Sequence, residues 1–394
     1  MDSEQPPQER EAKKTEINNE IRIKKKKKKK KSSYFPKFGC FRIQHDATEG
    51  GFDIEVVDAS GHRPNPTHLI IMVNGLVGSA ENWKFAAKQF LKRYPEDAVV
   101  HCSERNSSML TFDGVDVMGE RLTEEVISVI KRHPSVEKIS FVGHSSGGMI
   151  ARYAIAKLYG RDISKENGHC EIQVSDQGKI AGLEPINFIT FATPHLGSRG
   201  HKQVPLFCGF HSLEKAISRV SWVFGRTGKH LYLMDGNKDG KPPLLLQMVR
   251  DSEDMKFMSA LRSFKRRAAY ANIRYDQLVG WSTSSIRRRS QLPKRRHLTR
   301  HENYPHIVNV ESAKSIHAAE EVPTESKVSG ESGKLDMEEE MIRSLTTMSW
   351  DRIDVSFRGS RQKYLAHSTI QVNTYCMNSD GEDVIQHMID NFQL

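Results

Sequence analysis

Apolar residues return along this chain in two alternating rhythms. Continuous runs at residues 68–73 (His-Leu-Ile-Ile-Met-Val), 98–102 and 187–191 suit strands covered on both faces. Shorter runs at 54–57, 138–142, 268–273 and 352–357 read as further strands. Between them the apolar positions recur at helical spacing: Trp83, Phe85, Ala86, Phe90 and Leu91; Met118, Leu122, Val126, Ile127 and Ile130; Met149, Ile150, Tyr153, Ala154 and Leu158. Residues 384–392 close the chain as an amphipathic helix. Strands alternating with helices predict a doubly wound, mostly parallel α/β sheet.

Two stretches break the rhythm. From 198 to 267, clusters such as Leu206-Phe207, Trp222–Phe224 and Leu231–Met234 sit among glycines and charges. They predict a mostly helical, lid-like insertion, with core-facing helix at 244–248 and 257–261. Residues 311–340 are polar, Ser/Glu-rich and free of aromatics, and read as a flexible loop, with helix following at 341–350.

Residues 138–153 combine a short strand, a turn of glycine and serine, and a helix. Gly143-His144-Ser145-Ser146-Gly147 matches G-x-S-x-G, the turn that exposes a nucleophilic serine between strand and helix. A serine hydroxyl is a weak nucleophile and needs a base. The helix N-terminus supplies amide N–H groups where negative charge develops.

Composition narrows the class. The chain has 394 residues, 37% of them hydrophobic, and a formal charge of +10. The first 49 residues hold 14 Lys/Arg against 8 Asp/Glu, so the basicity is largely that of a lysine-rich tail, expected to be disordered. Within it Lys24–Lys31 is unbroken, and Tyr34, Phe35, Phe38 and Phe41 follow as candidates for insertion at a membrane interface. A second basic stretch, 287–300, carries seven Lys/Arg and no acid. Both are candidate contacts with anionic lipid; nuclear import is the other use of a lysine run. No nucleic-acid recognition fold accompanies them. Five cysteines without C-x-x-C or Cys/His ligand spacing argue for a reducing compartment and against structural zinc. With no apolar signal core and no run of about 18 apolar residues, the expectation is a cytoplasmic protein, peripheral on membranes at most.

A catalytic serine requires a histidine base and an acid to orient it, in the chain order Ser, Asp/Glu, His for a hydrolase of this layout. Asp276 follows the strand at 268–273, and His367 follows the last strand. The rival acids are Asp235, Asp239 and Asp354; the rival bases are His195, His306 and His387. Asp113 and Asp116 sit where a helix begins and read as caps. Backbone N–H groups of Leu76 and Ser146 are the candidate oxyanion donors, and His144 reads as structural.

These residues carry a resemblance. The segments 68–78, 111–122, 141–148, 191–197, 275–281 and 364–367, in this order, resemble the lipase-like serine esterases of plants, an α/β-hydrolase family. The resemblance implies hydrolysis of acyl esters, lipids being the expected substrates, with Ser145 as nucleophile, His367 as base, Asp276 as acid and no cofactor or metal. Asn74-Gly75 stands where such hydrolases often have His-Gly. Ser146 replaces a bulky apolar residue, which bears on the acyl pocket. An acyltransferase or thioesterase using the same triad, and a silent lipid-binding module, are the alternatives.

Overall fold

The computed structural model describes residues 40–45, 51–57, 65–161, 178–198, 224–236, 240–313 and 332–394. Among them, nine strands form one sheet: β1 (Cys40–His45), β2 (Phe52–Val57), β3 (His68–Val73), β4 (Ala98–Cys102), β5 (Lys138–His144), β6 (Glu184–Phe191), β7 (Arg266–Asn272), β8 (Ile307–Glu311) and β9 (Asp351–Val355). Their spatial order is β1-β2-β4-β3-β5-β6-β7-β9-β8. The run from β4 through β3, β5, β6 and β7 to β9 is parallel, while β2 and β8 run against it. This order, with helices on both faces, is the α/β-hydrolase fold.

The apolar runs explain the layering. All six residues of β3 are buried. Leu69, Ile71 and Val73 pack on one face with Met118, Leu122 and Val126 of α2 (Val115–Arg132) and Met149, Ile150 and Ala154 of α3 (Ser146–Leu158). Ile70 and Met72 pack on the other with Phe90 and Leu91 of α1 (Lys84–Arg93) and the closing helix residues Val384, Ile385 and Met388. Each of the larger of these side chains stabilises the fold by about 1.5–3 kcal/mol relative to exposure.

Several expectations need correction. The expected tail of 49 residues overlaps the fold: Cys40–His45 is a strand paired antiparallel with β2, Phe41 opposite Val56 and Ile43 opposite Ile54. Phe41 packs against the core, so it is no membrane anchor. Its six-residue alternation is short, and the charged sequence beside it outweighs that signal in any compositional reading. Lys24–Lys31 lies outside the described residues. The 311–340 loop is likewise shorter than expected: Glu311 ends β8, and helix occupies Ser332–Leu345, leaving 314–331 outside the described residues.

In the 198–267 insertion, residues 199–223 and 237–239 lie outside the described residues. Leu245, Met248, Phe257 and Leu261 are buried in the core shared with α3, so the helices Leu244–Gln247 and Phe257–Ser263 face the core, as expected of 244–248 and 257–261. The segment Gly225–Leu231 plays a role that no local pattern announces. Thr227 Oγ1 and His230 Nδ1 accept the N–H groups of Gly114 and Val115, both at 3.0 Å, and so cap α2. Of the two expected caps, Asp116 accepts the first-turn N–H of Val117 at 2.9 Å and also pairs with Arg226 at 2.6 Å, whereas Asp113 pairs with Arg121 at 2.6 Å instead.

Candidate active site

Parallel strands end at one edge of the sheet, and the loops leaving β3, β5, β7 and β9 carry the candidate chemistry there. Ser145 sits between β5 and α3 with φ 54° and ψ −130°, a left-handed conformation unusual for a residue with a side chain. Its N–H donates to Phe191 O at 2.9 Å, which ties the turn to the end of β6. A Cβ on Gly147 would stand 2.3 Å from Val73 O, so only glycine lets α3 start this close to β3. On the other side, the Gly75 backbone lies against the serine: a Cβ there would be 2.7 Å from Ser145 Cβ and 3.3 Å from its Oγ.

The loop bearing Gly75 is held firmly. Asn74 is buried and donates to Asn106 O at 2.9 Å, and Val77 N–H donates to Thr111 Oγ1 at 2.9 Å. Asn74, at the position where a histidine was the alternative, thus pins the loop. Leu76 N–H has no partner among the described residues and neither has the hydroxyl of buried Ser146.

Asp276 and His367, 91 positions apart, meet in space. His367 Nδ1 donates to Asp276 Oδ2 at 3.0 Å. Asp276 Oδ1 accepts the N–H groups of Leu278 and Val279 at 3.0 and 2.9 Å. Asn272, the last residue of β7, donates to Asp276 Oδ2 at 3.0 Å and to Ala366 O at 3.1 Å, so one side chain ties the acid to the segment bearing the imidazole. Burial works to raise the pKa of Asp276, and the His367 charge with the hydrogen bonds from His367, Asn272 and Val279 more than offsets it, leaving the carboxyl below its ordinary value.

His367 lies in the short helix Ala366–Thr369. Among the described residues its Nε2 makes no hydrogen bond, and none joins it to Ser145 Oγ. Its ring packs beside that of His144, the serine's neighbour, with centroids 4.7 Å apart. His144 Nε2 donates to His367 O at 2.7 Å. Burial, followed by the charge of His367, pushes the pKa of His144 down to about 3, so this imidazole is neutral.

The rivals are placed elsewhere. Asp354 is buried and bonded by Trp281, Arg287 and Asn309. Asp235 accepts Leu244 N–H at 2.8 Å, and Asp239 lies outside the described residues. His195 is buried against Trp350 with Nε2 3.0 Å from Thr190 Oγ1. His306 pairs with Asp383 at 2.8 Å, and His387 Nδ1 bonds Tyr270 Oη at 2.9 Å. Asn272 and the positioning contact of His144 were missed in the sequence; the only local signal for Asn272 is its place at a strand end, four residues before the acid.

Residues 63–286 match the family described as "Putative serine esterase (DUF676)", more than half the chain, and the chain belongs to that family. Ser145 and Asp276 fall within the match; His367 falls beyond it. A Saccharomyces cerevisiae protein named "Putative lipase ROG1" is 32% identical over 227 residues, 56% of this chain and 28% of that protein. "Putative lipase C4A8.10" of Schizosaccharomyces pombe is 27% identical over 257 residues, 63% of this chain and 29% of its own. The match thus spans under a third of the length of these curated relatives, which are yeast proteins and do not carry the plant attribution. Among solved structures, Bacillus licheniformis lipase BlEst2 is similar at TM-score 0.34 and 15% identity, over 56% of this chain and 39% of that one. The propionate-bound esterase Est2 of Thermogutta terrifontis is similar at TM-score 0.38 and 10% identity, over 90% and 94%.

Proposed function

We propose that this chain hydrolyses carboxylic esters, with acyl lipids as the substrate class, through Ser145, His367 and Asp276. The observation that carries the reading is the Asp276–His367 hydrogen bond of 3.0 Å on the strand edge where Ser145 occupies its strained turn. His367 then has one nitrogen held and the other uncommitted, as a general base requires.

Ser145 Oγ attacks the ester carbonyl carbon while His367 Nε2 takes its proton. Asp276 holds Nδ1–H and stabilises the imidazolium. The oxyanion accepts from the N–H groups of Leu76 and Ser146. The tetrahedral intermediate collapses, the alcohol leaves with the proton from His367, and water repeats the sequence to release the acid. Catalytic hydrogen bonds are commonly long before substrate arrives, which accommodates the missing Ser145–His367 bond.

The lipid part rests on exposed apolar side chains. Val77, Met109, Leu278, Tyr364 and Leu365 are 64%, 74%, 54%, 64% and 43% exposed, on loops leaving the same strand edge. Their concentration there suits an acyl chain or its membrane. The chain has no helix, among the described residues, long and apolar enough to cross a membrane. Contact with anionic lipid through Lys24–Lys31 and 287–300 belongs to the same proposal, less Arg287, which is buried between Asp354 and Glu311.

A fluorophosphonate probe with a panel of glycerolipids, phospholipids and short-chain esters tests it. The expected result is labelling and acid release by the parent and neither by Ser145→Ala. Equal labelling of both proteins would remove Ser145 from the mechanism. Activity confined to short, soluble esters would remove the lipid.

A further inference from the structure

Beside the Asp276–His367 pair, on the side bearing 287–300, two cavities adjoin. One of about 160 Å³ is lined by Asn272, Asp276 and Trp281 together with Arg274, Arg289 and Arg295. The other, about 380 Å³, shares Ile273, Arg274 and Arg295 with it and adds Arg300 and Arg358. Five arginines thus line two cavities that share part of their wall. Among the described residues, the only acidic one lining either cavity is Asp276, whose oxygens are already engaged by His367, Asn272 and two backbone N–H groups.

Like charges gathered without a counter-charge repel, and a surface of this kind persists most readily where an anion relieves it. Among the described residues, Arg274, Arg295, Arg300 and Arg358 have no carboxylate partner. Arg295 lies over the Trp281 ring, 6.0 Å from its centroid, and donates to Ile273 O at 3.4 Å. Burial and then the charge of Arg274 lower its pKa, a sign that the two guanidinium groups feel each other. Arg300 lies against Gly359, next to Arg358. The four come from three separate segments: Arg274 follows β7, Arg295 and Arg300 belong to the basic stretch, and Arg358 follows β9. A solvated basic helix face would not converge in this way, and at roughly 30 Å³ per water the smaller cavity alone has room for a multi-atom anion.

We propose that this cleft binds a phosphate group, held by Arg274, Arg295, Arg300 and Arg358. The guanidinium fork pairs its parallel N–H groups with phosphate oxygens, and several forks around one cavity match a dianion better than a monovalent carboxylate. The phosphate is carried either by a lipid headgroup or by a soluble phosphate ester; the chemistry at the cleft is the same. The binding site stands independently of the esterase reading.

Ser145→Ala protein, which removes turnover from the measurement, is titrated with inorganic phosphate and with glycerol phosphate against chloride at matched ionic strength, and Trp281 in the cavity wall reports through fluorescence. Saturable binding is expected for both phosphates and not for chloride. Arg295→Gln and Arg358→Gln each weaken it by about tenfold or more, as loss of one charged hydrogen-bond donor implies. Arg296→Gln, outside the cleft, leaves it unchanged, and thermal melting checks that each variant is folded. Co-sedimentation with phosphatidic acid vesicles against phosphatidylcholine vesicles identifies the source. Capture that falls in the two variants assigns the site to a lipid headgroup, and capture that stays constant while the soluble titrations weaken assigns it to a free phosphate ester. A chloride response equal to that of phosphate, or folded variants that titrate like the parent, overturns the site. Esterase activity can fail its own test with this result untouched.

Discussion

His101 and His367 are each held by an aspartate, and the two pairs are built differently. His101 spends both nitrogens: Nδ1 on Asp53 Oδ1 at 2.6 Å and Nε2 on Glu125 Oε1 at 3.0 Å. Asp53 also accepts Arg132 and His133, and Glu125 accepts Ser103 Oγ and Glu104 N–H. Burial opposes the charge on His101, but the two carboxylates overcome it and raise its pKa to about 9. The result is a fixed cation joining β2, β4 and α2. His367 spends only Nδ1. A histidine–aspartate contact is therefore a poor sign of catalysis by itself; the uncommitted second nitrogen, on the edge where a strained serine turns, separates the proposed base from a structural ion.

Exchanging the two imidazoles for alanine should separate activity from stability. His367→Ala is expected to lower ester hydrolysis on the order of 10⁵-fold with little change in unfolding free energy. His101→Ala leaves Asp53 and Glu125 buried without their cation, and should destabilise by about 3–5 kcal/mol while the folded fraction keeps its kcat. Urea unfolding and initial rates on the same preparations check both. A His101 variant that loses turnover but not stability would erase the distinction.

The pair also differs in its response to pH. A group whose pKa rises on folding stabilises fully below its unfolded value and loses that contribution as pH climbs through the folded value. For His101 the window runs from about 6.5 to about 9. The melting temperature should therefore fall between pH 7 and 10, and His101→Gln should flatten that limb. Asp53 and Asp276 are shifted the other way, so their contributions are present at neutral pH and disappear only in acid. Calorimetry across this range reads the first limb, and a His101→Gln protein with an unchanged slope would assign it to another group.

How legible each part was follows from how local its physics is. The parallel strands could be read because burial on both faces makes six consecutive apolar residues, as in His68–Val73, and few other elements need that. The serine turn could be read because Gly147 and Ser145 meet a steric demand within five residues. Asp276 and His367 were reachable through chain order. Edge strands were not: β1 and β8 are short and partly solvated, so their apolar signal is weak against neighbouring charge. Nor were long-range hydrogen bonds. Thr227 and His230 cap a helix more than a hundred positions away, and Asp53, His101 and Glu125 form one cluster from three elements. A side chain that acts by reaching across the fold leaves no period in the sequence.

The smallest effect expected concerns His144, which touches the proposed base, His367, through that residue's backbone. Its Nε2–H bond to His367 O ties it to the short helix that carries the imidazole, which makes it a proposed positioning residue. His144→Phe keeps the ring packing and removes one neutral hydrogen bond, a loss of about 0.5–1.5 kcal/mol. If that loss falls on the aim of the base, kcat should drop roughly three- to tenfold with KM nearly unchanged, and His144→Gln, whose amide can donate to the same carbonyl, should recover part of it. The pH profile supplies the control. His144, with its pKa near 3, is neutral wherever the enzyme is assayed, so the acidic limb of kcat/KM must be the same in parent and variant. A limb that moves in His144→Phe would mean that this ring shares the proton with His367 rather than merely holding it in place.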